Sequence, residues 1–167
     1  MDGLRDKTVL ITGAGGGIGR TLVSTFVGNG CRVVACDQDI DALAGLAGVA
    51  GTATFDLLDP ASIASAAASI SQEFGTPDCL VNNAGWTRAE TMDDVTDAAI
   101  EKELALNLSG VMRLTQALLP GMAARGGSIV FVTSVNAIRH FGNPVYAAAK
   151  SGIEAYSRAI AVEPEVI

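Results

Sequence analysis

Five short apolar runs, rich in β-branched residues, recur along the chain: Thr8–Thr12 (TVLIT), Arg32–Cys36 (RVVAC), Thr52–Phe55, Cys79–Val81 and Ser128–Thr133 (SIVFVT). They are continuous rather than alternating. A strand with one face in water alternates apolar and polar residues; a strand covered on both faces does not. Between the runs lie helical patterns over about 18–28, 39–47, 60–74, 97–124 and 145–163. Asp59 followed by Pro60 reads as an N-cap with proline at the first helical position. A β-α order repeated along one chain, with no linker or repeat, predicts an α/β fold. Its sheet is parallel and doubly wound, with helices on both faces.

Composition bounds what such a fold can do. Hydrophobic residues make up 49% of the 167 and charged residues 17%, which excludes a disordered chain. The net charge of −7 argues against nucleic acid, whose phosphates need clustered Lys and Arg. Cys31, Cys36 and Cys79 each sit in or beside an apolar run and read as buried, reduced thiols. His140 is the only histidine, and no metal site is predicted. Without a run of about 18 apolar residues or a signal-like start, no membrane partner is predicted, and the chain reads as soluble and cytoplasmic.

Ligands of open parallel sheets bind beyond the carboxyl ends of the strands. After the first run comes Thr12-Gly13-Ala14-Gly15-Gly16-Gly17-Ile18-Gly19, opening a helix. Such a turn lets backbone amides and a helix N-terminus meet a pyrophosphate, although a plain flexible turn has the same composition. After the second run comes Asp37-Gln38. A carboxylate there can accept from both adenosine ribose hydroxyls and repels a 2′-phosphate, favouring NAD over NADP; N-capping of the next helix is compatible with that role. Asp56-Leu57 follows the third run, where an adenine contact competes with helix capping. Asn82-Asn83-Ala84-Gly85 follows the fourth, with small residues that let the chain pass close under a cofactor. Ser134 follows the fifth, then Tyr146 and Lys150, spaced to share one face of a helix.

Together these residues resemble the short-chain dehydrogenase/reductase family. The matching elements are TGAGGGIG at 12–19, Asp37, Asp56-Leu57, NNAG at 82–85, Asn107, Ser134 and YAAAK at 146–150. The resemblance implies a Rossmann-type fold that binds NAD through Gly13, Gly15, Gly16, Gly17, Ile18, Gly19, Asp37, Gln38, Asp56, Leu57, Asn83, Ala84, Gly85, Tyr146 and Lys150. It implies hydride exchange between nicotinamide and a secondary alcohol or its carbonyl. Tyr146 would be the acid/base. A phenol in water titrates near 10, and a neighbouring cation favours its ionised form; Lys150 supplies that cation. Ser134 would orient the substrate oxygen, and Asn107, in the long fourth helix, would anchor a water joined to Lys150. The stretches 135–145 and 86–88 would line the substrate pocket, with Arg88, Arg139 or His140 available to an anionic substrate.

Members of this family usually continue past residue 167, with two further strands and a substrate-binding segment. The chain is therefore read as one NAD-binding, catalytic domain over 1–167. It is expected to lack that segment and the last two strands, which leaves the fifth strand as a sticky edge. A homodimer or homotetramer is expected through the fourth and fifth helices. The competing reading is a nucleotide-binding protein, regulatory or catalytically impaired.

Overall fold

The computed structural model describes residues 3–88, 91–139 and 141–162. The strands are β1 (Thr8–Thr12), β2 (Arg32–Asp37), β3 (Gly51–Thr54), β4 (Cys79–Asn82) and β5 (Ser128–Phe131). The helices are α1 (Gly17–Gly28), α2 (Pro60–Phe74), α3 (Asp97–Leu104), α4 (Gly110–Ala123) and α5 (Pro144–Ile160). The strands form one parallel sheet in the order β3-β2-β1-β4-β5. The order reverses direction between β1 and β4, the switch point where α/β sheets bind ligands.

The central strands are buried on both faces, as continuous apolar runs require. Leu10, Val34 and Leu80 pack against α2 and α4 through Ile63, Ile70, Leu114, Leu118 and Met122. Val9, Ile11, Val33, Ala35 and Val81 pack on the other face around Val23 of α1. The two edge strands differ. β3 and β5 alternate between half-buried and exposed positions, and Val130 is 46% exposed.

The element boundaries follow local chemistry. Asp59 caps α2 by accepting the Ala61 N–H at 2.9 Å, with Pro60 in the first turn. The segment 39–47 is not the helix its sequence suggests but a single 3₁₀ turn at Asp41–Leu43. Asp39 takes the Asp41 N–H at 2.9 Å on its own side chain, and Gly45 and Gly48 adopt positive φ. Both features divert the backbone from helical hydrogen bonding. The β2–β3 connection therefore crosses without a helix. The long fourth helix is divided by a π-helical turn over Ala105–Ser109. α5 is described to Ile160, and residues 163–167 lie outside the described residues.

Candidate functional site

A cleft of about 440 Å³ opens at the carboxyl ends of β1, β2 and β4. Among its lining residues are Gly13, Gly16, Gly17, Ile18, Gly19, Asp37, Gln38, Asp56, Leu57, Asn83, Ala84 and Gly85. Every cofactor contact expected from sequence is in that wall except Gly15, Tyr146 and Lys150.

The glycine turn is fixed by close approach. Gly13 sits at φ 63, and a Cβ there would stand 2.9 Å from Ala84 Cα. A Cβ on Gly19 would stand 2.0 Å from Gly13 O, so α1 can begin this near the turn only with glycine. Thr12 Oγ1 accepts the N–H groups of Asn83 and Ala84 at 3.1 and 3.0 Å. Asn83 Nδ2 returns to Thr12 O and Gly13 O. The side chain of Asn83 therefore clamps the turn. A Cβ on Gly17, by contrast, would meet no atom within 4 Å. The floor at the start of α1 is therefore open, beside amides with no intrahelical partner.

Asp37 Oδ2 accepts the Gly15 N–H at 3.0 Å and Oδ1 accepts the Asp39 N–H at 3.3 Å. Each carboxylate oxygen accepts one bond here and can accept two, so both retain room for a hydroxyl donor. Arg20 grips the far side of the turn, donating to Gly15 O and Ala42 O at 3.0 and 2.5 Å. Asp56 Oδ1 takes the Leu58 N–H at 2.8 Å and shapes the adjoining wall.

The second cluster lies where β4, β5 and α5 converge. Lys150 is 4% exposed, and its Nζ donates to Val132 O at 2.9 Å. Burial pushes its pKa below the usual lysine value. Its Nζ stands 5.6 Å from the centre of the Tyr146 ring. A Cβ on Gly85 would fall 3.1 Å from Asn107 Oδ1 and 3.4 Å from Lys150 Nζ, so Gly85, Asn107 and Lys150 meet at one point. Ser134 accepts the Asn136 N–H at 3.2 Å and starts the turn after β5. Its O–H can donate elsewhere.

Asn107 is fully buried in the π turn. Its oxygen accepts the Trp86 N–H at 3.0 Å, and its two amide hydrogens go to Trp86 O and Glu103 O at 2.7 and 3.0 Å. Insertion of this side chain at Glu103 O accounts for the local widening of the helix.

Sequence reading missed Glu103 and Asn143. Both are buried, and both bind the 86–88 stretch. The one available signal was the four-residue spacing of Glu103 and Asn107, which places them on one helical face. It also missed Lys102, which lines the cleft with its Nζ 4.3 Å from the Trp86 ring centre. His140 lies outside the described residues. Among the described residues no group of three His, Cys, Asp or Glu is placed to hold a metal, and no helix is long and apolar enough to cross a membrane.

A family model for short chain dehydrogenases matches residues 7–165. The chain belongs to the short-chain dehydrogenase family. It is 37% identical over 96% of its length to a short-chain type dehydrogenase/reductase of Sinorhizobium fredii, covering 69% of that protein. It is 35% identical over 98% of its length to the oxidoreductase UcpA of Escherichia coli, covering 65% of it. The L-sorbose reductase of Gluconobacter frateurii, solved with NADPH and L-sorbose, superposes with a TM-score of 0.90. It shares 29% identity, over 98% of this chain and 66% of the reductase. The chain spans between 52% and 69% of the length of the curated relatives it matches.

Proposed function

We propose that this short-chain dehydrogenase is an NAD(H)-dependent oxidoreductase acting on a secondary alcohol or its ketone, with Tyr146 moving the proton. The observation that carries the reading is the convergence of Lys150, Gly85 and Asn107 at the mouth of the glycine-turn cleft, with the Tyr146 ring beside the lysine. A nicotinamide held in this cleft would supply or accept the hydride. The glycine turn and the start of α1 would hold its pyrophosphate, and Asp37 the adenosine ribose; the chain's own residues do the rest. Lys150, held by Val132 O, places an ammonium group next to the phenol. As a phenolate, the Tyr146 oxygen takes the proton from the alcohol oxygen; as the resulting phenol it returns that proton to the ketone oxygen in the reverse direction. The Ser134 O–H steadies that oxygen as charge develops on it.

Trp86 is the only tryptophan and lines the cleft, so its fluorescence reports nucleotide binding. Tyr146→Phe is expected to keep NADH affinity by that measure and to lose roughly 10²–10⁴-fold in kcat across a panel of secondary alcohols and ketones. Turnover retained by Tyr146→Phe would end the assignment. NADH binding by the wild type without turnover of any panel member would support the regulatory reading instead.

NAD is proposed over NADP because Asp37 presents a carboxylate at the ribose position. Asp37→Ala is expected to narrow the ratio of kcat/KM for NAD⁺ over NADP⁺ by roughly tenfold, the loss of about 1.4 kcal/mol of discrimination. A wild type that prefers NADP⁺ contradicts the reading. A cytoplasmic homodimer or homotetramer is proposed alongside, from the family.

A further inference from the structure

The stretch 86–88 leaves the carboxyl end of β4 and does not rejoin the sheet. Its backbone is held instead by two side chains one helical turn apart. Asn107 takes both the N–H and the carbonyl of Trp86. Glu103 Oε1 takes the N–H of Arg88 at 3.1 Å. Alternate residues of an extended segment are thus bonded as a neighbouring strand would bond them.

Glu103 has a second partner. It is 4% exposed, and the same Oε1 accepts from Asn143 Nδ2 at 3.2 Å. Asn143 is 6% exposed and left-handed, with φ 48 and ψ 73. Its Oδ1 accepts the Tyr146 N–H at 3.1 Å and so caps α5 one turn ahead of the tyrosine. Its Nδ2 also meets Thr87 Oγ1. An asparagine amide can turn either way in a pocket of mixed donors and acceptors. The Glu103 oxygen that faces it is an acceptor, already taking the Arg88 N–H, so it selects the orientation with the donor Nδ2 toward Glu103. Oδ1 is then left aimed at the Tyr146 N–H.

We propose that Glu103 is a positioning residue for the site. Through Asn143 it fixes where α5 begins and thereby where Tyr146 stands, and through Arg88 it holds the 86–88 wall in the same frame. Its other oxygen, Oε2, is buried with no hydrogen-bond partner among the described residues. A buried acceptor in that state costs stability. Local stability therefore does not explain a buried acceptor here, whereas control of the Asn143 amide does. The catalytic consequence rests on the proton-transfer role proposed for Tyr146; the structural consequence does not.

The test compares Glu103→Ala, Glu103→Gln, Asn143→Asp and the pair Glu103→Gln/Asn143→Asp in the native protein. The readouts are amide hydrogen exchange, NADH titration through Trp86 fluorescence, and turnover of the best alcohol in the panel. Glu103→Ala is expected to speed exchange at the Arg88 and Tyr146 amides about fivefold to tenfold, the equivalent of one lost cap, and to leave Leu114 and Ile153 unchanged. Glu103→Gln keeps an acceptor oxygen and is expected to stay near wild type. Asn143→Asp sets acceptor against acceptor and is expected to match Glu103→Ala. The pair restores a donor between the two positions and is expected to recover most of the loss. Turnover is expected to follow the Tyr146 exchange rate across the four, while NADH affinity holds. Unchanged exchange at Tyr146 in Glu103→Ala, or a pair no better than Asn143→Asp alone, overturns the proposal. A wild type that turns over nothing would defeat the enzymatic reading, while the exchange results still decide the role of Glu103.

Discussion

The two halves of the cleft are built differently. On the β1–α1 side, the turn is set by backbone touching backbone. Gly13 lies on Ala84, Gly19 lies on Gly13, and Thr12 bridges to Asn83 and Ala84. The strand beneath is buried along its whole length. On the β4–β5–α5 side, the frame is a web of side chains: Asn107, Glu103 and Lys150, each bonded to main chain of another segment, and Asn143, which caps α5 and bonds the Glu103 side chain. The strand beside that web is a half-exposed edge. A backbone-packed site tolerates no added atom. A side-chain web can lose one member and still stand, with its geometry loosened. The first arrangement suits a rigid anchor for a nucleotide, and the second suits a site whose reacting groups must be tuned.

The comparison breaks most sharply at Gly19. A methyl group there would lie 2.0 Å from Gly13 O, which is backbone and cannot swing aside. Gly19→Ala is expected to destabilise the fold by about 3 kcal/mol, the upper range for overpacking, and to abolish NADH binding. Calorimetry and the Trp86 signal measure the two effects. If Gly19→Ala binds NADH normally, the glycine turn is not the rigid anchor described above.

Asp78 offers a smaller effect, at the opposite end of the sheet where both halves share a floor. Its Oδ2 accepts the Thr8 N–H at 2.8 Å, and its Oδ1 meets Lys7 Nζ at 3.1 Å. The Thr8 N–H bond holds its pKa below the usual aspartate value; burial opposes this, and Lys7 adds to it. A lowered carboxylate pKa contributes stability that is complete above the unfolded value of 3.8 and fades as pH falls through the lower folded value. Asp78→Ala is expected to cost about 1–2 kcal/mol at pH 7 and progressively less below pH 3.8, with turnover at neutral pH unchanged. Thermal melts across that range check it. A large loss of turnover at neutral pH would mean that the two halves are not separable from their floor.

How much of this was readable beforehand divides along the same line. The sheet, its five strands and the glycine turn follow from residues whose constraints are local: β-branched runs, and glycines where no Cβ fits. The Asp59–Pro60 start of α2 is equally local. The predicted helix at 39–47 failed because Asp39 and two glycines offered the backbone better local bonds than a helix would. Asn107 was picked out, but its π turn was not, since a π turn depends on which distant backbone the side chain meets. Glu103 and Asn143 stand 40 residues apart and carry no periodic signature. Their pairing exists only once α3 and α5 are packed together.

Lys150 gives the smallest stability effect and the one that separates stability from function. The side chain is buried, its Nζ donates to Val132 O, and burial lowers its pKa. For a lysine, that direction means the cost of burying the cation is fully present below the folded pKa. Between that value and the ordinary 10.5, the folded state sheds its proton while the unfolded state keeps it, so stability rises with pH. Lys150→Met keeps the length and removes the charge. At pH 7 it is expected to stabilise the protein by about 1 kcal/mol and to abolish turnover. The advantage should shrink as pH climbs toward 10.5, which melting temperatures of the two proteins across pH will show. A Lys150→Met protein less stable than wild type at pH 7 would mean the ammonium holds α5 against β5. The second half of the cleft would then be as rigidly built as the first, and the contrast between them would be lost.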